Sequence, residues 1–336
     1  MTPLRQLSKI HLVFGANASD YRISSMSDPA ANHANSIGVE VTPSTLRAVE
    51  IGPSGDVLNS HSAPLIRGNE VLPQIVGFIN ELRSRFTPFD SLGVTFPGLI
   101  RKGDRRIVYS TYFPEYEDVD LLGELEKTTR LRVWIENDAN SAGYGEYGLG
   151  AGRSCSSMFY ATLGTGVGGA FIVDGIIWHG ASGFAGEFGS LAIDEDGTRL
   201  EEVASATNIV RRTRHRFHQD STSSLGKFQE SDITVADVVR AAAGGDDFAH
   251  LMLQRTGRYV GTAIAGVINL LNVESVVIGG EITDADHTLL DAIVARARDL
   301  TFRPSFEATK IVAGELGNKA AAIGVALLSK KLKESS

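Results

Sequence analysis

The chain has 336 residues, 43% of them hydrophobic and 21% charged, with one cysteine and a formal net charge of −8. That length suggests two domains at about 100–200 residues each, and the acidic balance argues against a broad electrostatic footprint for nucleic acid. Cys155 alone can form neither an internal disulfide nor a cysteine-based metal site, so a reducing, cytoplasmic setting is expected. The most apolar stretch, 261–280, is interrupted by Asn269, Asn272 and Glu274 and falls short of the roughly 20 apolar residues of a bilayer span, so no membrane partner is expected. Glycine is the outlier, at 36 residues against an average usage of about 7%.

Residues 1–36 lack sustained periodicity and read as a disordered or variable tail; the apolar stretch 10–14 is too short and too polar-flanked for a signal peptide. Residues 37–41 and 46–51 read as strands, Pro53-Ser54-Gly55-Asp56 as a turn, and a third strand is expected around Val57 and Leu58. Pro73 opens an amphipathic helix with Ile75, Ile79, Leu82 and Phe86 on one face. Residues 92–96 read as a strand closed by Pro97-Gly98, and 131–135 as another closed by Glu136-Asn137-Asp138. The second half then repeats the opening: a strand at 157–163, a glycine loop at 164–169, a returning strand at 170–173, the hairpin turn Asp174-Gly175 and a strand at 176–178. Strand, loop, strand, turn, strand occurs twice, and a duplicated α/β fold with mixed sheets is the economical account. The polar segment 213–230 reads as a surface excursion. A long helix ending near Asn272, a strand at 275–278 ending in Gly279-Gly280, a strand at 310–312 ending in Gly314 and a helix over 319–332 complete the chain.

Gly164, Gly166 and Gly169 satisfy G-x-G-x-x-G after a strand, with Glu187 about 20 positions on, the spacing of a dinucleotide fingerprint. That fingerprint must open a helix whose N-terminus meets the pyrophosphate. Here β-prone Ala170-Phe171-Ile172-Val173 and a turn follow, so the loop joins two strands of a hairpin. Its backbone N–H groups can still converge on an anion, with the Thr165 hydroxyl as a further donor. Four more clusters stand at expected element ends: Glu136 to Asn140, Gly186-Glu187-Phe188-Gly189, Gly279-Gly280 and Gly314-Glu315-Leu316-Gly317. Together they point to one cleft.

In that order, with Pro97-Gly98 and with Gly183-Phe184-Ala185 leading into Gly186, these clusters resemble the ROK sugar kinases and their repressor relatives, within the actin-like ATPase superfamily. The resemblance spans about 37–328. It implies a duplicated actin-like (ribonuclease H-like) α/β fold of two domains with a central cleft, the small one formed by 37–137 plus 318–336 and the large one by 138–317. It implies ATP with Mg²⁺ as cofactor, a hexose or amino-sugar substrate, most often phosphorylated at O6, and a homodimer. By the same resemblance Asp138 is the catalytic base, while Pro97, Gly98, Asn137, Glu187, Ser190 and Glu201 surround the sugar. Glu40, Gly164, Thr165, Gly166, Gly279, Gly280 and Gly314 would serve the nucleotide. An alcohol is a poor nucleophile at neutral pH, so a positioned carboxylate suits this chemistry; Asp138 also reads as an N-cap for a helix beginning at Ala139.

Three features depart from the family pattern. Where the family has Asp-x-Gly-Gly-Thr, this chain has Glu40-Val41-Thr42-Pro43-Ser44, in which Pro43 lacks an N–H and Thr42 adds a Cβ where a phosphate would approach. The histidine of the family's zinc site is Ser190 here, and no cysteine lies between Glu187 and Glu201, so no zinc is expected. Only 36 residues precede the core, short of the winged helix-turn-helix of the repressors, so no DNA binding is expected. A sugar kinase is the favoured reading. The alternative is a non-catalytic sugar sensor or regulator with degraded phosphate binding.

Overall fold

The structure, a computed structural model, describes residues 35–66, 70–217, 222–282 and 287–334; nearly all of the N-terminal tail expected from the sequence lies outside them. Strands β1 (Ser36–Val41), β2 (Thr45–Ile51) and β3 (Val57–Pro64) form an antiparallel meander, with Val39, Val41, Leu46 and Ala48 buried. Helix α1 (Val71–Arg85) crosses over to β4 (Ser91–Phe96), and α2 (Leu121–Thr129) crosses to β7 (Arg132–Asn137); both strands run parallel to β1 in the sheet order β3-β2-β1-β4-β7. The apolar stripe of α1 buries Ile75, Ile79 and Leu82 against this sheet, as the 3.6-residue period requires. Between β4 and α2, the short strands β5 (Leu99–Ile100) and β6 (Ile107–Tyr109) form a separate hairpin.

The second sheet repeats this plan. Strands β8 (Ser157–Leu163), β9 (Val167–Val173) and β10 (Ile176–Ile177) form the meander, turning at Asp174 and Gly175, both with positive φ. Helix α7 (Asp247–Leu271), ended by Asn272 in the left-handed conformation, leads to β11 (Ser275–Gly279), and α8 (Thr288–Leu300) with α9 (Arg303–Ala308) to β12 (Lys310–Ala313), giving the order β10-β9-β8-β11-β12. The returning strand starts at Val167, three residues earlier than the sequence predicts, because the weak strand preference of Gly168 and Gly169 is overridden by pairing with Thr162 and Ala161. Only Gly164–Gly166 remain as the turn.

Among the described residues, three short α-helices, α4 (Glu201–Ala204), α5 (Ala206–Arg214) and α6 (Val235–Ala243), lie in the connection between β10 and α7. Most described residues of the expected surface excursion at 213–230 are exposed or half-buried, but the segment is anchored: Thr213 is buried, and Phe217 and Leu225 join the large core with Ile209 and Leu253. A few anchors hold a polar, largely exposed segment to the core.

Helices α3 (Asp138–Leu149) and α10 (Ala320–Ser329) tie the two sheets together. Helix α3 leaves the first sheet and packs on β8 and β9 of the second, whereas α10 leaves the second and packs on β1, β4 and β2 of the first; the two helices also pack against each other. Their approach is so close that a Cβ at Gly324 would overlap the Ser141 carbonyl, and one at Gly145 the Ala320 carbonyl. We predict that Gly324→Ala lowers stability by about 1–3 kcal/mol, the usual range for overpacking, as measured by urea denaturation; an unchanged midpoint would refute this account of the crossing.

Candidate active site

The ends of β4 and β7 meet because their register pairs Thr95 with Glu136 and Phe96 with Asn137. Pro97 and Gly98 follow one strand and Asp138 the other. Asn137, not Asp138, caps α3: its Oδ1 accepts from the Asn140 N–H at 3.0 Å, correcting the N-cap reading of Asp138. The Asn137 Nδ2 group donates to the Gly98 carbonyl at 3.0 Å and to Asp138 Oδ1 at 2.9 Å, and the Ala139 N–H donates to the same Oδ1 at 3.0 Å. Among the described residues the side-chain partner of Asp138 is therefore on Oδ1, and no cation pairs with it. Desolvation raises its carboxyl above the usual aspartate range despite these hydrogen bonds. A half-buried carboxylate that takes up a proton readily is suited to general base catalysis.

Asp138 lies in a cleft of about 740 Å³ whose lining also includes Pro97, Gly98, Asn137, Gly164, Thr165, Gly166, Glu187, Ser190 and Glu201. The cleft therefore gathers all the residues expected at the catalytic and sugar positions and three of those expected for the nucleotide. Glu40, Gly279, Gly280 and Gly314 are outside the lining. Glu40 pairs with Arg47 across the β1–β2 register. A Cβ at Gly280, where φ is +99°, would collide with Leu163 backbone, and one at Gly314 would stand 2.7 Å from Glu146 Oε1. These glycines are required by packing within the second half. Glu146, itself buried, accepts N–H groups from Ala151, Glu315 and Leu316 and so fixes the 314–317 loop to the end of α3.

The two hairpin turns facing this cleft differ in their free hydrogen-bonding capacity. In the turn after β8, Gly164 N–H bonds the Gly166 carbonyl at 3.0 Å and Val167 N–H bonds Glu201 Oε2 at 2.9 Å. Among the described residues the amides of Thr165 and Gly166 have no acceptor, which leaves two donors available to an anion. The turn after β1 satisfies itself. Thr42 N–H and Thr42 Oγ1 both donate to the Thr45 carbonyl at 2.9 Å, Thr42 Oγ1 accepts from Thr45 N–H at 2.9 Å and from Ser44 N–H at 3.4 Å, and Pro43 has no N–H. Thr42 and Pro43 still line the cleft, so the first half supplies it with side chains rather than amides.

Glu187 faces the cleft with its carboxyl pushed up by desolvation and then by the charges of Asp138 and Glu201. Glu40 is likewise raised, because burial outweighs Arg47 and the Asp138 charge adds to it. Among the described residues no group of three or more His, Cys, Asp or Glu side chains could hold a metal ion. Sequence reasoning missed Arg199, which lines the cleft along with Glu201, and also His179 and Arg105, which converge on Glu136. A single arginine or histidine in a loop carries no sequence signal of such convergence. We predict that Glu201→Ala, by releasing the Val167 N–H, lowers the hydrogen-exchange protection of that amide about 10-fold; unchanged protection would show that the turn holds its shape without this carboxylate.

Two duplicated βββαβαβ sheets with exchanged terminal helices and a cleft between them define an actin-like ATPase fold of the sugar-kinase type. The ROK family model matches residues 36–332. The chain is 31% identical over 317 residues to a glucokinase of Halalkalibacterium halodurans, covering 89% of this chain and 96% of that protein. It is 25% identical to the xylose repressor of Bacillus subtilis, covering 86% and 75%. Its fold superposes with a TM-score of 0.79 on the ROK family glucokinase of Streptomyces griseus in complex with glucose and AMPPNP, at 24% identity and covering 89% and 100%. The chain belongs to the ROK family.

Proposed function

We propose that the protein is an ATP-dependent sugar kinase that transfers the γ-phosphate to a hexose or amino-sugar hydroxyl, O6 in the first instance. The observation that carries this reading is the placement of Asp138, with its raised pKa, in the same cleft as the unengaged amides of Thr165 and Gly166. In this scheme Asn137, Glu187, Ser190 and Glu201 orient the sugar, and Pro97 and Gly98 shape its wall. Asp138 accepts the hydroxyl proton while the sugar oxygen attacks the γ-phosphorus and the bond to the β-phosphate oxygen breaks, releasing ADP. Mg²⁺ would enter with the nucleotide and offset phosphate charge; Glu40, tied to Arg47, stands where the family pattern has an aspartate and would serve the ion through water. Arg199 adds a positive charge at the cleft, useful as charge spreads over the transferring phosphoryl group. The segments 37–137 with 318–336, and 138–317, would close as two domains about the crossing of α3 and α10. An assay of ATP-dependent phosphate transfer across a panel of hexoses and amino sugars tests the proposal; no turnover with any of them would reject it.

The self-satisfied turn at Thr42–Thr45 favours a second reading, a sugar-binding regulator that has lost productive donor binding. Titration calorimetry separates the two. Sugar binding without measurable Mg-ATP binding is the expected result for a regulator, and binding of both for a kinase.

A further inference from the structure

Glu136 is the residue before the Asn137–Asp138 pair, 1% exposed, and its two oxygens serve different parts of the molecule. Oε1 accepts from the Asn137 N–H at 3.1 Å and from Asn140 Nδ2 at 3.2 Å, holding the first turn of α3. Oε2 lies 3.0 Å from His179 Nε2 and 3.6 Å from Arg105 Nη1. Burial alone would raise the Glu136 carboxyl, but His179 and then Arg105 bring it below the ordinary glutamate range. Glu136 is therefore an acceptor, and His179 Nε2 must carry the hydrogen it donates.

The two partners of Oε2 come from two different segments that line the cleft. Arg105 belongs to the β5–β6 hairpin, whose Leu99, Ile100 and Tyr109 line the cleft; its guanidinium also stacks 4.5 Å over Trp134. His179 opens the segment that runs to Glu187, and its carbonyl accepts from Ala185 N–H at 3.1 Å. The two segments touch directly as well, where Lys102 N–H donates to the Ser182 carbonyl at 2.9 Å. A buried carboxylate held by two such donors is costly to break by removing one partner, since the charge left behind has no solvent to stabilise it.

We propose that Glu136, His179 and Arg105 form a positioning latch that fastens the two cleft-lining segments to each other and to the turn carrying Asp138, and that it sets the affinity for the sugar without touching it. The latch deepens the kinase reading and rests on it for the identity of the ligand, while its existence can be tested without any ligand.

Both tryptophans of the chain flank the latch, Trp134 beneath Arg105 and Trp178 beside His179, so replacing Trp178 by Phe leaves Trp134 as the reporter. In that background, His179→Ala is expected to raise acrylamide quenching of Trp134 in the unliganded full chain about 2-fold, and His179→Gln, which keeps an N–H donor at similar reach, to restore it. With D-glucose as probe, His179→Ala should weaken binding or raise the Michaelis constant about 10-fold, change kcat by less than 3-fold and leave the ATP constant unchanged. Should His179→Ala fail to fold, the isosteric Glu136→Gln carries the same two expectations. Unaltered quenching in both variants overturns the latch, as does a loss confined to kcat. A wild-type chain that neither binds nor phosphorylates any hexose would instead reject the kinase reading, and the quenching result would still decide the latch.

Discussion

Replacing Asp138 by Asn is expected to lower kcat by about 10²–10⁴-fold, the usual contribution of a general base, to leave sugar affinity within a few fold, and to raise the melting temperature at neutral pH. The loss of rate follows from removing the only group in the Asn137–Asn140 turn that can take a proton from a hydroxyl. The gain in stability follows from burial. Desolvation holds the folded pKa of Asp138 above its ordinary value of 3.8, so the folded chain binds this proton more tightly than the unfolded one. Below about 3.8 both states are protonated and the carboxyl imposes no ionic cost. As the pH rises through the window between 3.8 and the raised folded pKa, the folded state is penalised for holding the ion, and above that window the penalty is constant. Asparagine carries no such penalty and keeps the shape, so the variant's advantage should be full near neutral pH and vanish in acid. Thermal melts of both proteins between about pH 4 and pH 8, with a single-turnover assay at each pH, check both halves. An Asp138→Asn variant with undiminished turnover, or one less stable at neutral pH, would contradict the base assignment or the burial argument respectively. The wild-type rate should fall on the acid side at a pH above the ordinary aspartate range.

Replacing Thr42 and Pro43 together by glycine is expected to lower the Michaelis constant for ATP about 10-fold and to raise kcat, with sugar affinity unchanged. The Thr42→Gly change removes the hydroxyl that now occupies the Thr45 and Ser44 amides, and Pro43→Gly restores the N–H that proline lacks. Hydrogen bonds to a charged group are worth about 1.5–3 kcal/mol each, against about 1.4 kcal/mol for a tenfold change in affinity, so one newly available amide suffices. The two glycines loosen the unfolded chain, and a stability loss of about 0.4–1 kcal/mol per site should accompany the gain. Calorimetry with a non-hydrolysable ATP analogue and steady-state kinetics measure the outcome. If donor affinity does not move, the β1–β2 turn is not in contact with the phosphates, and the regulator reading loses its main support.

The local elements of this fold were legible because each has a short-range cause. The buried stripe of α1, the Asp174-Gly175 turn between β9 and β10 and the left-handed stop at Asn272 follow from residue period and backbone preference. The hairpin context of Gly164–Gly166 was legible for the same reason, since the β-prone residues after it cannot open a helix. Elements whose order depends on distant partners were not. Gly168 and Gly169 join a strand because Thr162 and Ala161 pair with them, and the polar stretch after Thr213 is anchored to the core through Phe217 and Leu225.

The glycine excess shows the same division at the site. By itself the sequence determined that glycines and carboxylates fall at strand ends, that Pro43 contributes no N–H to the turn after the first strand, and that Asp138 follows a strand, because these are properties of residue type and spacing. Only the tertiary structure decided which glycines face the cleft. Gly164 and Gly166 line it, and Gly280, Gly314 and Gly324 make room for the Leu163 backbone, Glu146 and Ser141. It also decided that Asn137 caps α3, that the Thr42 hydroxyl occupies the amides beside it, and that Glu136 gathers Arg105 and His179 from positions 31 residues before it and 43 after. A carboxylate's partners and a glycine's neighbours are set by what long-range packing brings within about 4 Å, and residue type along the chain carries no record of that distance.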